Sequence, residues 1–155
     1  MNKLSLVILL VLTSILPGWG QKIVPSPADL YDEALEYIFA GEYNEALPVL
    51  KSLEDKGYHT ANISYKIGEC FLNLPGLKAN AIPYLKEAIQ KISADYSGAT
   101  LDETHAPVKA LLYLGIAYRL NNDLTNALDC FHSYLEQDDG TEAGSKALAA
   151  YHIER

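Results

Sequence analysis

The sequence predicts an all-α protein made of three successive helical hairpins and a final capping helix. Apolar residues recur at the 3.6-residue spacing of amphipathic helices, and the helical segments come in pairs joined by short connections. The pairs also repeat: small residues occupy one equivalent position in each pair, at Ala34, Gly68 and Gly115. The chain has 155 residues, 49% of them hydrophobic, which is enough for one domain with a substantial core.

The first hairpin is predicted over residues 28–56, where the apolar pattern pauses at Gly41. The second covers residues 61–92 and turns at Pro75 and Gly76, and the third covers residues 107–137 and turns at Asn121, Asn122 and Asp123. Residues 141–155 contain strong helix formers and predict the capping helix, which shields the last unit of a stacked array. Residues 28–155 therefore form one predicted domain.

A segment without helical periodicity, residues 93–106, separates the second and third hairpins. It explains why the spacing is 34 residues from Ala34 to Gly68 but 47 from Gly68 to Gly115. We interpret it as an insertion. The helix that follows is expected to begin near Pro107, because proline is tolerated in the first turn of a helix.

Two prolines, Pro48 and Pro83, fall two residues after Ala46 and Ala81 in the second helices of their hairpins. The first N–H groups of a helix lack intrahelical partners, so an early proline sacrifices few hydrogen bonds. A loosened or slightly bent first turn is expected in both helices. The second helix of the third hairpin has Asp129 at this position, and its first turn should be regular.

The N-terminal residues have the pattern of an export signal. Lys3 precedes an apolar run from Leu4 to Leu16, which is followed by the small residues Gly18 and Gly20. The run is shorter than the roughly 20 residues of a transmembrane helix. Residues 1–20 are therefore expected to be a cleaved signal peptide, and residues 21–27 a linker.

The composition argues against several classes of function. The net charge is −8, and an acidic surface repels phosphate backbones, so no nucleic acid is expected as a partner. Membrane contact should be at most indirect. No nucleophile and base, phosphate-binding loop, HExxH or CxxC motif is present, so we expect neither an enzyme nor a cofactor. Cys70 and Cys130 lie in apolar helical patterns and are expected to be buried thiols, although export would permit a disulfide.

Acidic residues in the insertion provide one alternative. Asp95, Asp102 and Glu103 supply oxygen ligands and His105 an imidazole, so a metal-dependent function of the insertion is the less favoured alternative. Flexible acidic loops are common, and a solvated loop is the preferred interpretation.

The 34-residue period and the residues at each phase resemble the tetratricopeptide repeat (TPR) family. This resemblance implies a right-handed superhelix in which the first helices line a concave groove that binds a protein or peptide. Family members that clamp chaperone tails use lysine and asparagine where this chain has Tyr31, Leu35, Tyr65 and Glu69, so that role is not expected. The expected groove residues are Tyr31, Tyr65, Glu69, Leu72, Lys109, Leu112 and Arg119, and Leu35, Ile38 and Ile116 share their phase.

The predicted function is that of an exported, non-enzymatic scaffold in a cell-envelope complex, in the periplasm or at the outer-membrane periphery of a Gram-negative bacterium. The motifs YKIGECFLNL, AIPYLKEAI and ALLYLGIAYRL also resemble the N-terminal repeat region of envelope proteins that continue into a β-propeller and an OmpA-like domain. The alternative is therefore a structural N-terminal fragment of such a protein, with no ligand of its own.

Overall fold

The computed structural model describes residues 24–137 and 143–154 of the chain. The predicted signal peptide lies outside the described residues. The elements within them are almost all helical, which confirms the predicted all-α fold. In chain order, the helices are α1 (Pro27–Ala40), α2 (Tyr43–Asp55), α3 (Ala61–Asn73), α4 (Ala81–Ala88), α5 (Lys109–Leu120), α6 (Leu124–Gln137) and α7 (Ala143–Glu154).

The helices form three hairpins, α1–α2, α3–α4 and α5–α6, that stack in sequence. Helix α2 packs against α3 and α4 against α5, while α7 covers the end of the array by packing against α6 and α5. None of the helices in the described ranges has the length and apolar content needed to cross a membrane.

The small residues at equivalent positions lie against the companion helix of their own hairpin, as the sequence predicts. A Cβ atom added to Gly68 would lie 2.6 Å from Leu85 Cγ in α4, and one added to Gly115 would lie 2.5 Å from Phe131 Cε1 in α6. Ala34 is completely buried in the first hairpin. A larger side chain at either glycine would separate the two helices or displace the facing side chain.

Local sequence explains where α1 begins and where two hairpins turn. Ser26 caps α1 by accepting a hydrogen bond from the Asp29 backbone N–H, and the Asp29 carboxylate accepts one from the Ser26 N–H. Gly41 ends α1 in a left-handed conformation with φ +78°. Asn122 takes the same role in the third hairpin with φ +61°, a region that asparagine tolerates better than most residues.

The two prolines differ in their surroundings. Helix α2 continues through Pro48, five residues after its first residue, whereas Pro83 is the third residue of α4 and follows a 3₁₀ turn, Lys78–Asn80. The expected bend at these prolines remains a prediction.

The insertion is bounded by a 3₁₀ turn and by a pair of short strands. Helix α4 ends at Ala88 and continues as a 3₁₀ turn, Ile89–Lys91, which ends one residue before the predicted end of the second hairpin at residue 92. Two short strands, β1 (Ile92–Ser93) and β2 (Ala106–Pro107), then pair in parallel and bring the ends of the insertion together. Pro107 therefore lies in β2 and not in the first turn of α5, because its extended backbone takes part in this pairing.

Candidate partner-binding surface

The first helices of the hairpins, α1, α3 and α5, present side chains to a common surface, called here the inner surface. Tyr31 of α1 contacts Asn62 of α3, and the Tyr65 ring of α3 stacks on the Tyr113 ring of α5 with 5.7 Å between centroids. Residues four apart lie on the same face of a helix, so Glu69 follows Tyr65 on this surface.

Residues 94–105, called here the insertion loop, fold onto the inner surface at its α1 and α3 end. The Tyr31 hydroxyl donates a 2.7 Å hydrogen bond to the Gly98 carbonyl oxygen and accepts one of 2.7 Å from Asn62 Nδ2. The Tyr96 hydroxyl donates to Asn62 Oδ1, also at 2.7 Å. Asn62 is completely buried, and this chain of hydrogen bonds satisfies both ends of its amide.

The insertion loop also contributes aromatic and apolar contacts. The Tyr96 ring meets the Tyr65 ring edge-on with 6.1 Å between centroids, and Leu101 packs against the apolar core formed by α1, α2 and α3. Burial raises the pKa of Tyr31 to about 12, and it also raises the pKa of Tyr65 and of Tyr96 above the ordinary value. These hydroxyls therefore remain protonated donors throughout the physiological pH range.

Beside the insertion loop lies a group of partly exposed polar residues, Lys66, Glu69, Lys109 and Tyr113, called here the lysine–tyrosine cluster. Lys66 Nζ lies 5.6 Å from the Tyr65 ring centroid, and Lys109 Nζ lies 5.8 Å from that of Tyr113. The Tyr113 hydroxyl approaches Glu69 Oε1 at 3.4 Å.

Burial and the neighbouring charges shift the pKa values of Glu69 and Lys66. Burial raises the pKa of Glu69 above its ordinary value, and the charges of Lys66 and Lys109 partly offset that shift. Burial lowers the pKa of Lys66, and Glu69 partly offsets it. A cation above a tyrosine ring, next to a poorly solvated carboxylate, can bind polar groups of a partner at low desolvation cost.

At the other end of the inner surface, α7 covers α5 and α6. Arg119 Nη1 lies 2.7 Å from His152 Nδ1, and the His152 ring stacks on Phe131 at 5.2 Å between centroids. Burial lowers the pKa of His152, and the Arg119 charge lowers it further. A neutral imidazole can accept the hydrogen bond from the guanidinium, whereas a protonated one would repel it.

Comparison with known families identifies the architecture. A tetratricopeptide repeat model matches residues 31–100, and a second tetratricopeptide repeat model matches residues 109–141. Together they span more than half of the chain. The chain belongs to the tetratricopeptide repeat family. No curated protein matches it.

Four of the groove residues expected for this TPR array are buried, so the expectation that they line an open groove is wrong. The insertion loop covers Tyr31 and contributes to the burial of Tyr65, which also stacks on Tyr113. Leu112 is fully buried in the cluster that includes Ala149 of α7. Leu72 is buried among residues of α3, α4 and α5. The relative exposures of Tyr31, Tyr65, Leu72 and Leu112 are 0%, 5%, 9% and 0%.

The other three expected residues, Glu69, Lys109 and Arg119, remain partly exposed. Glu69 and Lys109 meet in the lysine–tyrosine cluster, whereas Arg119 lies at the α7 contact. The related positions Leu35, Ile38 and Ile116 are half-buried. A binding role for Glu69, Lys109 and Arg119 remains a prediction.

Sequence reasoning missed Asn62, Lys66, Tyr96 and Tyr113. The sequence contains a signal for Asn62, because a buried asparagine in the first turn of an apolar helix needs hydrogen-bond partners. Tyr96 gave none, since the insertion loop has no periodicity that fixes where its side chains lie.

The acidic residues of the insertion loop are not arranged as a metal site. No group of three or more histidine, cysteine, aspartate or glutamate residues within the described ranges is placed to hold a metal ion. Glu103 instead accepts a 2.8 Å hydrogen bond from the His105 backbone N–H, and this bond lowers the pKa of its carboxylate.

A separate cavity of about 240 Å³ lies among α4, α5 and α6, and Leu111, Tyr118 and Cys130 contribute to its lining. Both cysteines are free thiols. Burial raises the pKa of Cys70 to about 12 and that of Cys130 to about 11, so neither is a reactive thiolate at neutral pH.

Proposed function

We propose that this TPR chain is a non-enzymatic scaffold that binds an extended segment of a partner protein on its inner surface. TPR arrays are typical protein-interaction scaffolds, and repeat proteins use such surfaces to bind peptides.

The observation that carries this proposal is the lysine–tyrosine cluster. Lys66 and Lys109 lie near tyrosine rings on neighbouring first helices, and the charges of both lysines act on the partly buried Glu69 carboxylate. Partly buried polar groups next to aromatic rings are favourable sites for the few contacts that supply most binding energy.

We place the scaffold in the cell envelope as part of the same proposal. Its support is the pattern of residues 1–20, a positive residue followed by an apolar run and small residues. The periplasm or the outer-membrane periphery of a Gram-negative bacterium is the proposed location, and any membrane contact would be indirect. The envelope-protein resemblance of three helical motifs is consistent with this location.

The experiment is capture of partners from an envelope extract by immobilised residues 21–155. The test variant carries Lys66→Gln and Lys109→Gln, which remove both positive charges of the cluster. The matched control carries Lys78→Gln, a similar change at an exposed lysine in the 3₁₀ turn before α4. We expect a stoichiometric partner that the control retains and the double variant loses.

The competing hypothesis is a structural N-terminal fragment of a larger OmpA-like protein. It predicts that no stoichiometric partner is captured, although the chain is folded. Capture that is equally strong with the double variant would place binding on another surface and contradict the role of the lysine–tyrosine cluster.

A further inference from the structure

The insertion loop contacts the inner surface as a bound peptide would. Tyr96, Gly98 and Leu101 make the contacts, whereas Ser97 and the two residues between Gly98 and Leu101 are exposed. Recognition thus combines an aromatic hydroxyl, a backbone carbonyl and an apolar side chain. This combination is typical of extended peptides held in a groove.

We propose that residues 96–101 are an internal ligand of the inner surface, and that the partner segment displaces them by presenting the same groups. The partner would carry a tyrosine, a glycine two residues later and an apolar residue three positions beyond that glycine. This inference rests on the proposed function, because it specifies which segment the scaffold recognises.

The buried polar groups of the site define the requirement for tyrosine. Asn62 Oδ1 accepts from Tyr96, and the Tyr31 hydroxyl donates to the Gly98 carbonyl. When the insertion loop leaves, the Asn62 oxygen loses its donor and the Tyr31 hydroxyl loses its acceptor. A partner without a matching hydroxyl would leave Asn62 unsatisfied, and an unsatisfied buried polar group is costly.

The backbone conformation defines the requirement for glycine. Gly98 has φ +59°, a backbone conformation that is strained for any residue with a side chain. An added Cβ would also collide with the hydroxyl and ring of Tyr96. Only glycine allows the tyrosine ring to lie over the backbone while the carbonyl faces Tyr31. A tyrosine followed by alanine at this spacing should therefore bind poorly.

Tethering makes the insertion loop a strong competitor. A ligand attached through a short linker acts at an effective concentration on the order of millimolar. The apparent affinity of a free partner is its intrinsic affinity multiplied by the fraction of chains in which the surface is open. Opening the loop should therefore strengthen binding of a free peptide without changing any contact residue on α1 or α3.

The test uses a fluorescent synthetic peptide with the sequence of residues 94–105, titrated by anisotropy into two proteins. One is the intact chain, and the other has residues 95–104 replaced by a flexible glycine–serine linker. We expect the open protein to bind the peptide at least tenfold more tightly. Peptides with Tyr96→Phe or Gly98→Ala should bind the open protein at least threefold more weakly than the natural peptide.

A second variant serves if the open protein does not fold, as judged by circular dichroism. The intact chain with Tyr96→Phe keeps the ring but loses the hydrogen bond to Asn62. It should therefore bind the natural peptide about threefold more tightly than the unmodified chain does. Equal affinity of the opened and unmodified chains, or of the natural and Tyr96→Phe peptides, would overturn the inference.

The two proposals fail in distinguishable ways. If the peptide binds as expected but no partner is captured from the extract, the internal ligand stands and the scaffold function fails. If a partner is captured and excess peptide does not compete with it in the opened protein, the scaffold function stands and the inference fails.

Discussion

The Tyr31 hydroxyl donates a 2.7 Å hydrogen bond to the carbonyl oxygen of Gly98, 67 positions further along the chain. Both residues are buried, and the bond joins the first hairpin to the insertion between the second and third hairpins. The insertion loop is therefore an integrated part of the repeat array. It also decides which part of the inner surface stays open.

Replacing Tyr31 by phenylalanine should destabilise the protein by about 1–3 kcal/mol, because the Gly98 carbonyl and the Asn62 amide would lose their partner. Urea unfolding followed by circular dichroism measures the change in the free energy of unfolding. Tyr37→Phe is the control, since the Tyr37 hydroxyl only approaches Glu33 at 3.3 Å on the exposed side of α1. Equal losses in the two variants would contradict the buried hydrogen-bond chain.

Gly115→Ala should destabilise the third hairpin, because the new Cβ would collide with Phe131. We expect a loss of about 1–3 kcal/mol from overpacking. Alanine gains about 1 kcal/mol over glycine in a helix interior, so the measured net loss should be up to about 2 kcal/mol. The double variant with Phe131→Leu should lose less than the sum of the two single variants, which a double-mutant cycle measures. A stabilising Gly115→Ala would contradict the close helix contact.

The hairpins could be predicted from the sequence because their signals are local. Gly68 and Gly115 repeat in phase with apolar residues, and each contacts the second helix of its own hairpin. Burial of Tyr31 and Tyr65 could not be predicted in this way. It depends on a loop without periodicity, whose contact through Gly98 spans 67 positions. For the same reason, the helical phase assigns Lys109 to the inner surface, whereas no pattern assigns Tyr96 to it.

The pH dependence of stability should contain a contribution from His152. Its pKa is lowered in the folded protein from the ordinary 6.5, so the unfolded chain takes up this proton at higher pH. The contribution is fully favourable above about pH 6.5 and is lost as pH falls through the lowered pKa. Urea unfolding at pH 7.5 and 5.5 should show a larger loss for the unmodified chain than for His152→Gln. A loss that is the same in both proteins would remove His152 as the cause.

The two thiols should differ in reactivity towards a thiol reagent. Cys70 is completely buried and Cys130 half-buried, so Cys130 should react first in the folded protein, and both should react once the protein is unfolded without reductant. Cys130→Ser should abolish the faster phase and leave the slower one. Fewer than two reactive thiols per unfolded chain would indicate a disulfide and contradict the free cysteines.

The most direct test of the packed insertion loop is a nuclear Overhauser measurement on the isotopically labelled chain at neutral pH. The structure predicts cross-peaks between the ring protons of Tyr31 and the α protons of Gly98, and between the ring protons of Tyr96 and Tyr65. Random-coil shifts for residues 94–105, without cross-peaks to α1 or α3, would contradict it.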